Sequence, residues 1–379
     1  MYLAPMQRIY LDNAATTAVS DEVLTEMLPY FKEKFGNAST IYSFGRESRL
    51  AVEKARKTIA TWMNCKPGEI FFTSCGTESS NTAIQGAIRD LGCTRIITSP
   101  IEHHATLHTV QFLNKTAAVK VDYVLLTENG QVNLVHLEEL LSSSTEPTLV
   151  TLMHANNEVG NLLPLVTVAT LCEKYKAYFH TDAVQTVAHY AFDLQQVKIH
   201  FLSASGHKFH GPKGNGFLYI NQEISIQPYL HGGSQERTMR AGTENVPGIV
   251  GLAKALDLAM QNLAHDSNYI ASLKNYFKEK ILALPGVSLN GDTENGLYTV
   301  LNVAFPKNEK TEALSMSLDI QGVCVSGGSA CSSGAEGGSH VIKGIYPELT
   351  CVPIRFSFSK YNTKEEIDQV LEKISRLIC

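Results

Sequence analysis

The chain has 379 residues, of which 44% are hydrophobic, enough to bury a large core and to divide into two domains. A formal net charge of -5 at pH 7 gives no basis for a nucleic-acid or membrane-surface partner. No basic region followed by an apolar stretch of signal-peptide length opens the chain, and no apolar run is long enough to span a bilayer, so a soluble cytoplasmic protein is expected.

In chain order, an apolar run at 9–11 leads into the small, polar stretch NAATT at 13–17. Ser20 ahead of Asp21 and Glu22 then reads as a helix start. After an irregular region at 36–45, Ala51, Ala55 and Ile59 share one face of a helix running from Arg46 to Trp62. Short β-rich runs follow at 69–73, 95–98, 119–126, 148–153, 177–180, 199–202 and 216–220, several separated by helix-like segments. That rhythm predicts an α/β fold with a mostly parallel seven-stranded sheet covered on both faces. Pro247 fits the first turn of a long helix carrying Ile249, Leu252, Ala253, Leu256 and Met260 on one face. Beyond it the pattern reads as a smaller α+β domain, with runs at 287–289, 299–305 and 354–358 and a last helix opened by a Thr363–Glu366 capping box. The predicted division is 16–255 for the large domain, with 1–15 and 256–379 forming the small one.

Polar clusters follow the strands: Ser74, Gly76 and Thr77; Glu102, His103 and His104; His154, Asn156 and Asn157; Asp182 and Gln185; Ser205, His207 and Lys208. Ligands of open α/β sheets bind outside the carboxyl ends of the strands, so these clusters should meet in one crevice. In the stretch SASGHKFHGPKG at 203–214, a strand runs into a loop presenting Lys208, a candidate for a Schiff base with a carbonyl compound, or else a surface lysine. Pyridoxal phosphate would need such a lysine and a carboxylate at its ring nitrogen, together with a phosphate cradle. Asp182 fits the carboxylate, and alternatively a helix cap. Gly76 and Thr77 at a helix N-terminus fit the cradle, and equally an ordinary first turn. His103 suits a ring-facing role or a structural one; adjacent to His104, it makes a poor metal pair.

Arg355, in the β-rich IRFSF, must find an anion if buried, either a structural carboxylate or that of a substrate. The eight cysteines, Cys65, Cys75, Cys93, Cys172, Cys324, Cys331, Cys351 and Cys379, include no C-x-x-C pair, which speaks against a zinc ribbon or a disulfide framework. Cys331 lies within SGGSACSSGAEGG at 326–338, a composition that predicts a mobile loop and suits an accessible, reactive thiol; the alternative is an incidental exposed cysteine.

These motifs together resemble the NifS/IscS-like cysteine desulfurases, pyridoxal-phosphate enzymes of the class V aminotransferase group. The matching stretches are YLDNAATT, FTSCGTESSN, EHHATL, MHANNEVG, HTDAVQ, SGHKFHGPKG, HGGSQERTMRAGTEN, GSACSSG and IRFS, which extend over essentially the whole chain. The resemblance implies the PLP-dependent transferase fold type I. It also implies pyridoxal 5'-phosphate carried on Lys208, with Asp182 at the pyridine nitrogen, Gln185 at the phenolic oxygen with Asn157 close by, and His103 on the ring. Gly76, Thr77, Ser205 and His207 would hold the phosphate. Thr243 would be lent by the neighbouring subunit of a homodimer with shared sites, and Asn37 and Arg355 would contact the substrate carboxylate. Cys331 would take the sulfur of L-cysteine as a persulfide, leaving L-alanine, and pass it to an acceptor protein for iron–sulfur clusters or thiolated products.

The alternatives are a selenocysteine lyase or another class V lyase or transaminase, or an inactive sulfur carrier of the same fold. The chain departs from the family pattern at GNAST followed by Tyr42, where GNPSS and a histidine are usual, and at Cys75, where glycine is common and which reads here as packing. It stops at Cys379 without the longer tail of the housekeeping members, so docking to a scaffold through such a tail is not expected.

Overall fold

The computed structural model describes residues 8–327, 338–348 and 350–378. After a short strand β1 (Ile9–Tyr10), the main sheet takes in β2 (Ile70–Thr73), β3 (Arg95–Thr98), β4 (Lys120–Tyr123), β5 (Thr148–Thr151), β6 (Tyr178–Asp182), β7 (Phe201–Ser205) and β8 (Gly216–Ile220). Its seven strands lie in the order β2-β8-β7-β6-β5-β3-β4. The pairs from β7 across to β4 are parallel, and β8 runs antiparallel to both β7 and β2. The α/β expectation of a mostly parallel seven-stranded sheet is met.

Most of these strands are buried along their whole length because helices cover both faces. Ile97, Val150, Phe179, Leu202 and Phe217 belong to a core with helices Ser43–Trp62, Leu165–Lys174 and Val246–Gln261. Their strand neighbours Ile96, Leu149, Phe201 and Leu218 point the other way and pack with helices Gly76–Asp90 and His104–Thr116. The alternation is the two-residue period of a pleated strand. The helix starts read from sequence are present: Ser20 accepts from Val23 N, Asn245 caps the helix containing Pro247, and Thr363 and Glu366 exchange backbone bonds.

Two strands end later than their apolar runs suggest. β7 continues through Ser203, Ala204 and Ser205, past the apolar run at 199–202, and β6 reaches Asp182. The small polar residues tolerate burial in the strand because they find partners. Ser203 Oγ accepts from Ser80 Oγ at 3.1 Å and lies 3.0 Å from His180 Nε2.

A second, antiparallel sheet has the order β12-β10-β9 and is built from β9 (Ser288–Asn290), β10 (Val300–Pro306) and β12 (Cys351–Ser357). Its core joins Leu301, Val303, Phe305, Ile354 and Phe356 to helices Leu263–Ile281 and Lys364–Ile378. Ile9 and Leu11 belong to this cluster, and β1 pairs parallel with β11 (Val323–Cys324). The N-terminal stretch therefore packs on the C-terminal part of the chain before delivering residues 13–17 to the end of the large sheet. No helix among the described residues is long and apolar enough to cross a membrane.

Candidate active site

The carboxyl ends of β2, β3, β5, β6 and β7 open onto one cleft, whose lining includes Gly76, Thr77, His103, Met153, Asn157, Asp182, Gln185, Ser205, His207, Lys208 and Arg355. Lys208 ends a turn of 3-10 helix (Gly206–Lys208) directly after β7. Its Nζ donates to the carbonyls of Ala14 and Ala15 at 2.6 and 2.9 Å. Gln185 Nε2 donates to the same Ala14 oxygen at 3.0 Å, and His207 Nδ1 lies 3.1 Å from Thr16 Oγ1. The NAATT stretch is thus a wall of the cleft. Sequence reasoning gave Ala14 and Ala15 no role, although small residues directly after a short apolar run were the available signal.

Asp182, at the end of β6, is 7% exposed and accepts one backbone N–H, from Val184 at 3.0 Å. Burial pushes its carboxyl up to about 6, against the opposing pull of that hydrogen bond and of Lys208. His103 caps helix His104–Thr116, its Nδ1 accepting from Ala105 N at 3.1 Å, so a neutral ring carries its proton on Nε2. Burial, followed by the charge of Lys208 and nearby histidines, holds it down at about 4. His104 turns elsewhere, stacking on His108 with ring centroids 4.9 Å apart.

Helix Gly76–Asp90 begins after Cys75 with no side-chain cap, leaving the donors of its first turn facing the cleft. A Cβ at Gly76 would meet Val184 Cγ2 at 2.5 Å, so a side chain there would displace Val184. Arg355, on β12, is 1% exposed. Its Nη2 pairs with Asp12 Oδ1 at 2.7 Å and its Nη1 donates to Asn157 O at 2.8 Å, while Nε has no hydrogen-bond partner among the described residues. The structural carboxylate of the sequence reading is therefore Asp12, and the Nε–H of the guanidinium is still unspent. His189, missed in the sequence, backs the lysine turn, with Nε2 3.4 Å from Lys208 O and Nδ1 3.1 Å from the Tyr298 hydroxyl.

Two expected site residues are not brought into this cleft. Asn37 is exposed, and its Oδ1 accepts from Ser39 N at 2.9 Å within its own loop. Thr243 is likewise exposed and absent from the lining. Cys331 lies outside the described residues.

A lysine, a buried acid and the uncapped start of a helix thus meet at the carboxyl ends of a mostly parallel sheet in an α/β architecture. The aminotransferase class-V family profile matches residues 9–370, and the chain belongs to that family. A cysteine desulfurase IscS from Dictyoglomus turgidum is 43% identical over 98% of this chain and 95% of its own length. A solved NifS-like protein superposes with a TM-score of 0.91 at 38% identity, covering 98% of this chain and 99% of that one. A structure described as SspA in complex with cysteine gives a TM-score of 0.82 at 32% identity, covering 94% of this chain and 100% of that one. Within the class V family the chain is a member of the NifS/IscS-like cysteine desulfurases.

Proposed function

We propose that the protein binds pyridoxal 5'-phosphate in this cleft and converts L-cysteine to L-alanine, placing the sulfur on Cys331 as a persulfide. The observation that carries the reading is the convergence of Lys208, Asp182, Gln185 and His103 beside the uncapped start of helix Gly76–Asp90. These residues fit the cofactor. Asp182 is a buried acid whose charge burial makes costly in the protein alone, and a protonated ring nitrogen is the partner that would offset that cost. The first-turn donors, with Thr77, Ser205 and His207, suit a phosphate.

When bound, the cofactor supplies an electron sink for the α-carbon of an amino acid. Lys208 Nζ would hold it and, once released by the substrate amine, move the α-proton. Asp182 would keep the proton on the ring nitrogen, Gln185 Nε2 would donate to the phenolic oxygen, and the neutral His103 ring and Asn157 would also hold the ring. The spare Nε of Arg355 is a donor for the substrate carboxylate. Cys331, as thiolate, attacks the substrate sulfur. An S–S bond forms and the Cβ–S bond breaks, its electron pair staying on carbon, where a proton completes L-alanine. The outer sulfur then passes to the thiol of an acceptor protein, for iron–sulfur clusters or thiolated products. The relative bound to cysteine supports this substrate class.

Thr243 and Asn37, both exposed and outside their own cleft, are assigned to a second copy of the chain in a cytoplasmic homodimer with shared sites. Mass spectrometry of the Cys331 peptide after incubation with L-cysteine tests the reading. One added sulfur atom is expected, and it should be absent when Lys208 is replaced by alanine. Undiminished sulfide release by Cys331→Ala would sink the mechanism.

A further inference from the structure

The segment Gln235–Thr238 turns through three successive residues in the left-handed region: Glu236 (φ 45°, ψ 41°), Arg237 (φ 56°, ψ 41°) and Thr238 (φ 69°). None is glycine, and β-branched Thr238 is the most strained of them. Such a turn persists only where its surroundings over-determine it. Here they do. Arg56, 2% exposed on helix Ser43–Trp62, grips Glu236 with two hydrogen bonds of 2.8 and 2.7 Å and also donates to Ile70 O at 2.7 Å. Glu236 Oε2 accepts in addition from Phe72 N at 2.8 Å. Arg237 lies 4.6 Å over the Phe71 ring and donates to Ile70 O. The turn is therefore hung on β2, away from the cleft, and neither Arg56 nor Glu236 lines that cleft.

Past the turn, Arg240 pairs with Glu78 at 2.9 Å and the chain rises to the exposed Thr243. A buried, bidentate fork holding a strained turn is more than a lone surface loop needs. We propose that Arg56 and Glu236 are positioning residues that aim Thr243 into the phosphate cradle of a second copy of this chain. This deepens the shared-site reading above and rests on it. The fork acts in trans: it belongs to one protomer and serves the cofactor of the other.

Mixed dimers test the inference. When one protomer carries Lys208→Ala, the surviving site belongs to its partner and borrows the arm of the Lys208→Ala protomer. Glu236→Gln, and separately Arg56→Met, is placed on either protomer. The cofactor-free dimers are titrated with pyridoxal phosphate, reduced with borohydride, and the label on Lys208 is quantified by mass spectrometry. With the substitution on the Lys208→Ala protomer, half-saturation should rise about tenfold or more; on the Lys208-bearing protomer it should be unchanged. Both arrangements contain the same altered fold, so general destabilisation cannot create the asymmetry. Equal effects, no effect, or the reverse asymmetry would overturn the proposal. Thr243→Ala in the same two placements separates the layers. If Thr243→Ala does not act solely from the Lys208→Ala protomer, the shared-site reading itself fails. If it does, and the fork variants show no asymmetry, only this inference fails.

Discussion

Asp182 shows how a functional residue works against the fold that holds it. Its carboxyl sits at about 6 instead of 3.8 because burial strips its water. Below about pH 3.8 the group is protonated in both folded and unfolded chains and contributes nothing. As the pH rises toward about 6 the unfolded chain ionises and the folded one resists, so stability falls; above that the penalty is constant at about 3 kcal/mol. Asp182→Asn keeps an oxygen for Val184 N and removes the charge. Urea unfolding of the cofactor-free protein should show a gain of roughly 2–3 kcal/mol near pH 7.5 that shrinks below about pH 6, while cysteine turnover falls by about 100-fold or more. Arg355 is divided instead between two tasks, structural at Asp12 and Asn157, and free at Nε. A lysine ammonium has no planar fork with which to serve both. Steady-state kinetics of Arg355→Lys should show KM for cysteine raised roughly tenfold with a smaller change in kcat.

At the scale of elements, β8 enters between β2 and β7 with Gly216 opposite Thr73 and Ser205. A Cβ at Gly216 would stand 2.4 Å from Ala204 O and 3.1 Å from the Cys75 carbonyl carbon, backbone atoms that cannot swing aside. Gly216→Ala should lower stability by about 1–3 kcal/mol in urea and, by pushing on Ser205 and on the start of helix Gly76–Asp90, weaken cofactor binding in a spectral titration. These strands were legible in the sequence because a strand buried on both faces must be a run of apolar residues, and polar residues directly after such runs point to the cleft. Lys208, Asp182, Gln185 and His103 were found that way. Strand order and the antiparallel sense of β8 were not legible, since they depend on which edges meet and not on local composition. The extension of β7 through Ser203–Ser205 was hidden because small polar residues read as loop until their partners His180 and Ser80 are known. The Asp12–Arg355 and Arg56–Glu236 pairs span the chain, and no spacing rule brings such residues together.

For the molecule as a whole, the region from Leu28 to Phe44 is anomalous for a chain that acts alone. Leu28, Phe31, Phe35 and Ile41 are 55%, 57%, 65% and 85% exposed, and the Phe35 and Phe44 rings lie 5.3 Å apart in the open. Monomers rarely leave so many large apolar side chains together in water. The same region carries Asn37, and its Ser39 receives a hydrogen bond from Gln235 at the base of the Thr243 arm. Both residues assigned to a neighbour's site therefore project from one connected part of the surface. Burying that surface against a second copy would cover the apolar side chains and deliver Asn37 and Thr243 in a single association. A charge at its most exposed point should undo both effects together. Ile41→Glu is expected to shift sedimentation at micromolar concentration from dimer toward monomer and, in the same titration range, to weaken pyridoxal phosphate binding, because a monomer has no arm to borrow. A protein made monomeric that binds the cofactor as tightly as before would show that each chain completes its own site.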